Sequence, residues 1–156
     1  MSLLAEGARA PAFRLPSDSG ETVALRDFVG RHVVLYFYPK DDTSGCTTEA
    51  CGFRDSWARV RKAGAEVLGV SPDGPASHAR FRKTYALPFP LLADEDHAVA
   101  TAYGVWGRKQ MYGRSYFGIL RTTYLIGPTG RIEKVFPRVR PAGHAAEVLA
   151  ALAERP

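Results

Sequence analysis

Apolar and polar positions alternate along this chain with two periods, and the switches between them mark out its elements. Residues 11–38 read as short extended segments separated by turns, with a turn signal at Ser17 to Gly20 and a short strand over Glu21 to Leu25. The run His32-Val-Val-Leu-Tyr-Phe-Tyr38 is β-branched and aromatic with little polar alternation, which predicts a strand buried on both faces. Thr43 or Ser44 can cap a helix that runs to about Lys62 and stops near Gly64. Glu66 to Val70 is a second apolar strand, Pro75 opens a helix through about Tyr85, and Asp96 to Tyr103 is a short helix. Thr122 to Ile126 is a third apolar strand. The turn Gly127-Pro-Thr-Gly130 folds Arg131 to Phe136 back as a fourth, and Ala142 to Glu154 closes the chain as a helix. Trp106, Tyr112 and Tyr116 are expected to pack the loop before the third strand.

This order of elements predicts an α/β fold, with a central mixed sheet flanked by helices on both faces. In such sheets the functional site lies beyond the carboxyl ends of the strands, which puts the segment after Tyr38 in that place. A length of 156 residues suits a single domain over 1–156. Hydrophobic residues make up 46% and charged residues 24%, a soluble composition, and no stretch is apolar for long enough to span a bilayer. The opening residues lack the pattern of a secretory signal, so the expected location is the cytoplasm, a reducing compartment where cysteines are more often catalytic, redox-sensing or metal-bound than structurally bridged. The net charge of +5 raises nucleic acid as a partner, but the arginines are scattered and not interleaved with aromatics, so none is expected.

The two cysteines, Cys46 and Cys51, fall in the first turns of the helix after the buried strand. Unpaired N–H groups and the positive end of the helix dipole favour an anion at Cys46, and the thiolate is the nucleophilic form of cysteine. Cys51 lies more than a turn further in and receives less of this help. In an intact helix, residues five apart have Cα atoms roughly 8.6 Å apart on sides about 140° apart, beyond the roughly 4.4–6.8 Å that a disulfide spans. A bridge between them would require part of the helix to unwind, and Gly52, a poor helix former, lowers that cost. A zinc site wants four ligands, and His32, His78, His97 and His144 are isolated in sequence, so no metal is expected. Free cysteine is also a good core residue, and a cysteine–histidine hydrolase would carry no local signature here.

The flanking residues decide among these. Pro39, Thr43 and Cys46 are spaced P-x-x-x-T-x-x-C, which resembles the active-site motif of peroxiredoxins, and the string YPKDDTSGCTTEACGFRD is similar to the bacterioferritin-comigratory-protein, or PrxQ, branch. GARAPAFRLPSDSGETVALRDF and ADEDHAVATAYGVWGRKQMYGRSYFGILRTTYLIGPTGRI extend the resemblance over nearly the whole chain. Ser44 stands where that branch often has proline, and Ala12 where aspartate is common. The resemblance implies a thioredoxin-like fold and a thiol peroxidase. It makes Cys46 the peroxidatic cysteine and Cys51 the resolving one, joined in an intramolecular disulfide during turnover. Thr43 becomes the hydroxyl that bonds the thiolate and the peroxide, Pro39 a shield from water, Arg121 the cation completing the site, and Glu49 a polar neighbour of less definite role. It further implies a monomer that uses no cofactor, acts on hydrogen peroxide and organic hydroperoxides, and is recycled by thioredoxin or a similar dithiol. A peroxide sensor or redox relay built on the same thiols, and a redox-inert binding domain, are the alternatives.

Overall fold

The computed structural model describes residues 2–154. Among these described residues nine strands and four α-helices follow one another: β1 (Arg14–Pro16), β2 (Thr22–Ala24), a 3₁₀ turn (Leu25–Phe28), β3 (His32–Phe37), α1 (Ser44–Lys62), β4 (Ala65–Ser71), α2 (Pro75–Tyr85), β5 (Leu91–Ala93), α3 (Ala98–Ala102), β6 (Trp106–Met111), β7 (Arg114–Ile119), β8 (Thr122–Ile126), β9 (Ile132–Phe136) and α4 (His144–Ala153). The central sheet has the order β5-β4-β3-β8-β9. β4 runs parallel to β3 and to β5, while β8 runs antiparallel to β3 and β9, so the sheet is mixed, as the sequence predicts.

β3 lies in the middle of this sheet, and its composition explains why. Its side chains point alternately to opposite faces, and both faces are apolar. Val34, Tyr36 and Tyr38 join Phe53, Val67, Leu125 and Val148 in a core beneath α1 and α4. Val33, Leu35 and Phe37 join Leu68, Tyr103, Tyr124 and Ile126 on the other side. Each fully buried side chain of this size contributes about 2 kcal/mol to the folded state. Gly69 of β4 pairs in register with Tyr36, and a Cβ there would stand 2.9 Å from the Tyr36 ring and hydroxyl, so the glycine leaves the slot that the tyrosine fills.

α1 keeps one stripe inward at helical spacing: Cys46, Glu49, Ala50, Phe53, Ser56 and Val60 are buried. Helix α2 matches its predicted bounds, with Pro75 at its start and Ala86 in the left-handed conformation at its end. Two features differ from expectation. Leu91–Ala93 forms the edge strand β5, too short to give a periodic signal. The segment expected as a loop packed by Trp106, Tyr112 and Tyr116 is the β6–β7 hairpin, whose turn carries Tyr112 and Gly113 at positive φ. Only Trp106 packs, stacked 3.8 Å from the His97 ring, while Tyr112 is 97% exposed at the tip and Tyr116 is exposed. No helix of the described residues is long and apolar enough to cross a membrane.

Candidate active site

Strand β3 delivers the chain to Tyr38 and Pro39, and the turn that follows is pinned from several sides. Tyr38 donates its hydroxyl to Asp41 Oδ1 at 2.6 Å, Ser77 donates to Asp41 Oδ2 at 2.8 Å, and His78 Nδ1 lies 2.7 Å from the same oxygen. The Asp41 amide donates to Asp73 Oδ2 at 2.8 Å. Asp42 sits at positive φ, and its carboxylate accepts from the Tyr85 hydroxyl at 2.9 Å. A buried carboxylate and the start of α2 thus fix where α1 begins. Asp41, Asp73 and His78 form one group whose polar atoms could surround a cation. Those atoms are engaged with one another, with Ser71, and with the Leu92 carbonyl, which His78 Nε2 meets at 2.9 Å. His78 is therefore not isolated, as its sequence context suggested; it is the buried anchor of the turn.

Thr43 takes the N-cap position of α1, and its carbonyl accepts the first helical bond, from the Thr47 amide at 2.8 Å. Its side chain makes no cap bond. The exposed hydroxyl donates instead to the Lys40 carbonyl at 2.9 Å, closing a local turn of the kind Ser and Thr favour. The expected contact from Thr43 to the Cys46 sulfur is absent, because that hydroxyl proton is spent within the turn. Pro39 is partly buried beside Tyr38.

Cys46 is the third helical residue, 1% exposed, and Arg121 reaches it from β8's leading edge. Arg121 Nη2 donates to Cys46 Sγ at 3.3 Å, and Nη1 donates to Glu49 Oε1 at 2.6 Å. Arg121 is thereby joined to two predicted residues, Cys46 and Glu49, that lie more than seventy positions before it in sequence. Burial works against the Arg121 charge, but Glu49 and Cys46 more than offset it and hold the guanidinium cationic. Burial pushes the Glu49 carboxyl from its ordinary 4.5 up to about 7, against the opposing pull of Arg121. Arg121 satisfies only one of its oxygens: Oε2 is buried without a hydrogen-bond partner, as is the Tyr36 hydroxyl. Burial first, and then the negative charges of Glu49, Cys46 and Asp41, drive the Tyr36 phenol well above its usual range.

Sequence reading missed Gly45 and Pro141. A Cβ on Gly45 would stand 3.2 Å from Arg121 Nη2 and 3.3 Å from Pro141 Cγ, so the bare glycine lets the guanidinium close on the sulfur. A glycine in the first turn of a helix costs stability, and that cost was the signal available. Pro141 belongs to the loop whose Val139 amide donates to the Arg121 carbonyl at 3.0 Å. Cys51 is half-buried and both thiols are free. No histidine of the described residues bonds either sulfur; His144 bonds Thr123 at 2.8 Å and Glu147 at 3.1 Å.

A buried sulfur at a helix N-terminus, with a guanidinium on it, can hold negative charge and attack an electrophile. The AhpC/TSA family model matches residues 7–135 of this chain. The protein named putative peroxiredoxin bcp of Coxiella burnetii is 52% identical over 146 residues, covering 94% of this chain and 97% of that one. Peroxiredoxin Bcp of Bacillus subtilis is 47% identical, covering 94% and 93%. Among solved structures, a cysteine-to-serine mutant of Xylella fastidiosa PrxQ superposes with a TM-score of 0.92 at 36% identity over 98% of both chains. A Xanthomonas campestris bacterioferritin comigratory protein, solved as a trapped intermediate and ligand complex, gives 0.86 at 42% identity over 90% of both.

Proposed function

The chain belongs to the AhpC/TSA family, in the Bcp/PrxQ branch of the peroxiredoxins, and from that premise we propose that it reduces hydrogen peroxide and organic hydroperoxides through Cys46 and Cys51. Its mixed sheet and helices are the thioredoxin-like fold of these relatives. The observation that carries the reading is the Arg121 guanidinium held 3.3 Å from Cys46 Sγ at the start of α1.

The Cys46 thiolate attacks the nearer peroxide oxygen, the O–O bond breaks, and Cys46 becomes a sulfenic acid while the departing alkoxide or hydroxide takes up a proton. Arg121 and the Cys46 backbone N–H supply donors as negative charge moves from sulfur to oxygen. Cys46 is buried, which keeps water from the sulfur, and Pro39, partly buried at the start of the same turn, would contribute to that shielding. Thr43 serves here through its backbone, as the residue that starts α1; its hydroxyl would turn from Lys40 to meet a peroxide. Glu49 orients the guanidinium. The Cys51 thiol then displaces water from the sulfenic acid to form the Cys46–Cys51 disulfide. A dithiol reductant, for which thioredoxin is the proposed source, exchanges with that disulfide and restores both thiols. The reaction uses no cofactor.

Steady-state peroxide consumption with thioredoxin, thioredoxin reductase and NADPH tests this directly. Rapid multiple turnover is expected, abolished in Cys46→Ser. Cys51→Ser should consume one equivalent and leave a trappable sulfenic acid on Cys46. One equivalent consumed by the unaltered chain, followed by silence, would make it a sensor rather than an enzyme. Full-rate turnover of Cys51→Ser would remove Cys51 from the resolving role.

A further inference from the structure

The pole of the sheet opposite Cys46 carries a cavity of about 220 Å³ that the proposed reaction does not use. Val33 of β3 and Ile126 at the end of β8 are buried register partners that line it. The segment leading to Cys46 leaves the other end of β3, so roughly 16 Å of strand separates the two places. Three segments enclose the cavity, and backbone hydrogen bonds tie them together. The Ala10 amide donates to the Gly130 carbonyl at 2.9 Å, Gly30 to Pro128 at 2.9 Å, and Leu25 to Phe13 at 3.2 Å. The N-terminal segment, the 3₁₀ turn and the β8–β9 turn are thus stitched into one rim, and a rim formed in advance lowers the cost of binding. The 3₁₀ turn leaves apolar surface uncovered. None of its four residues is buried, and Val29, which follows it, is 74% exposed. Val29 is the one exposed large apolar side chain outside the β6–β7 hairpin among the described residues. It lines the cavity together with Leu25 and Phe28.

Charge at this cavity has one sign. Arg9, Arg26 and Arg31 line it, and no Asp or Glu of the described residues does. Arg31 is matched by Glu66 at 2.8 Å, whereas neither Arg9 nor Arg26 belongs to an ion pair among the described residues. Asp27, the acid of the 3₁₀ turn, accepts from the Ala24 amide at 3.0 Å. Glu133, whose carboxylate comes close to Gly127, pairs with His32 at 3.0 Å. Arg9 Nη1 lies 3.9 Å from where a Cβ on Gly130 would stand, so that guanidinium rests against the β8–β9 turn. An apolar cavity of about 150 Å³ is enough to take one benzene ring. The geometry points to a binding site for a small organic carboxylate, with an apolar body about one ring in size held among Leu25, Phe28 and Val33. Arg9 and Arg26 supply the guanidinium donors that match its carboxylate. The site shares no residue with the thiols and does not depend on their turnover.

The test is a chemical-shift titration of the full, reduced, isotope-labelled chain with phenylacetate. Saturable binding is expected, with the shifts falling on residues 9–12, 25–31 and 126–130. Phenylacetamide keeps the ring and loses the charge, and should bind about ten-fold more weakly, as two partly exposed ion pairs would give. Acetate and inorganic phosphate carry charge without the ring, and neither should displace phenylacetate at equal concentration. The double variant Arg9→Gln, Arg26→Gln alters two exposed side chains and should bind phenylacetate about as weakly as the unaltered chain binds the amide. Ala12→Asp sets a carboxylate at the cavity wall and should weaken phenylacetate while sparing phenylacetamide. Equal affinity for acid and amide overturns the site, and so does equal competition by phosphate. Shifts centred on Arg121, an affinity unchanged in the double variant, or no saturable binding overturn it as well. Peroxide consumption is read separately: a chain that binds phenylacetate in this way and reduces no peroxide would end the peroxidase reading and leave this site standing.

Discussion

Glu49 stands at the point where the site's chemistry and the protein's stability meet. Its carboxyl is pushed from an ordinary 4.5 to about 7 by burial, and Arg121 offsets only part of that because Oε2 has no partner. The unfolded chain gives up this proton near pH 4.5, whereas the folded chain keeps it to near 7. Glu49 therefore contributes stability that is fully present below about pH 4.5 and is lost as the pH rises through about 7. About 3 kcal/mol is at stake across that window. Glu49→Gln holds the neutral form at every pH, so the stability difference between Glu49→Gln and the unaltered chain should widen in favour of the variant between about pH 5 and pH 8. Denaturant unfolding at those two values reads it, and a difference that does not change with pH would contradict it. The residue was legible as a polar neighbour of Cys46, but its titration was not, because the sequence does not reveal that its second oxygen is buried alone.

The proposed reaction requires helix α1 to serve two states. Closed, it buries Cys46 and points the half-buried Cys51 elsewhere. Opened, it would bring the two sulfurs together. Gly52 lies between these demands. A Cβ there would meet Ala145 Cβ at 3.7 Å, an ordinary contact, so packing against α4 does not require a glycine. Gly52→Ala should stabilise the closed helix by about 1 kcal/mol, and so slow disulfide formation after the sulfenic acid roughly five-fold. Stopped-flow fluorescence across that step is the measurement; greater stability with an unchanged rate would mean that opening does not limit it. The bounds of α1, α2 and β8 were readable because caps, Pro75 and a continuous apolar run signal them locally. The β6–β7 hairpin was not, because its strands are basic and exposed and pair only with each other. The turn before α1 was legible in its motif alone. What fixes it, the contact of Asp41 with His78, spans 37 positions and leaves no periodic trace.

Across the whole molecule, the central sheet is shared by both cores. Tyr36 and Phe37 are neighbours on β3 yet belong to opposite clusters. Losing β3 would therefore open both, so the chain should act as one domain and unfold in a single transition, with fluorescence and circular dichroism giving coincident curves. Two resolved transitions would contradict this. Arg121 ties the sheet to the helix it must release, since it grips both Cys46 and Glu49. In the proposed reaction, oxidation of Cys46 would weaken that grip and so couple the chemistry to the opening of α1. Hydrogen exchange read by mass spectrometry, on the chain reduced and after one equivalent of peroxide, tests this coupling most directly, because the same digest reports the cross-link. Oxidation should yield the linked Cys46–Cys51 peptide together with a loss of amide protection from Ser44 through Gly52, while β3 and β8 keep theirs. A linked peptide with α1 protection unchanged, or both thiols still free, would contradict the account.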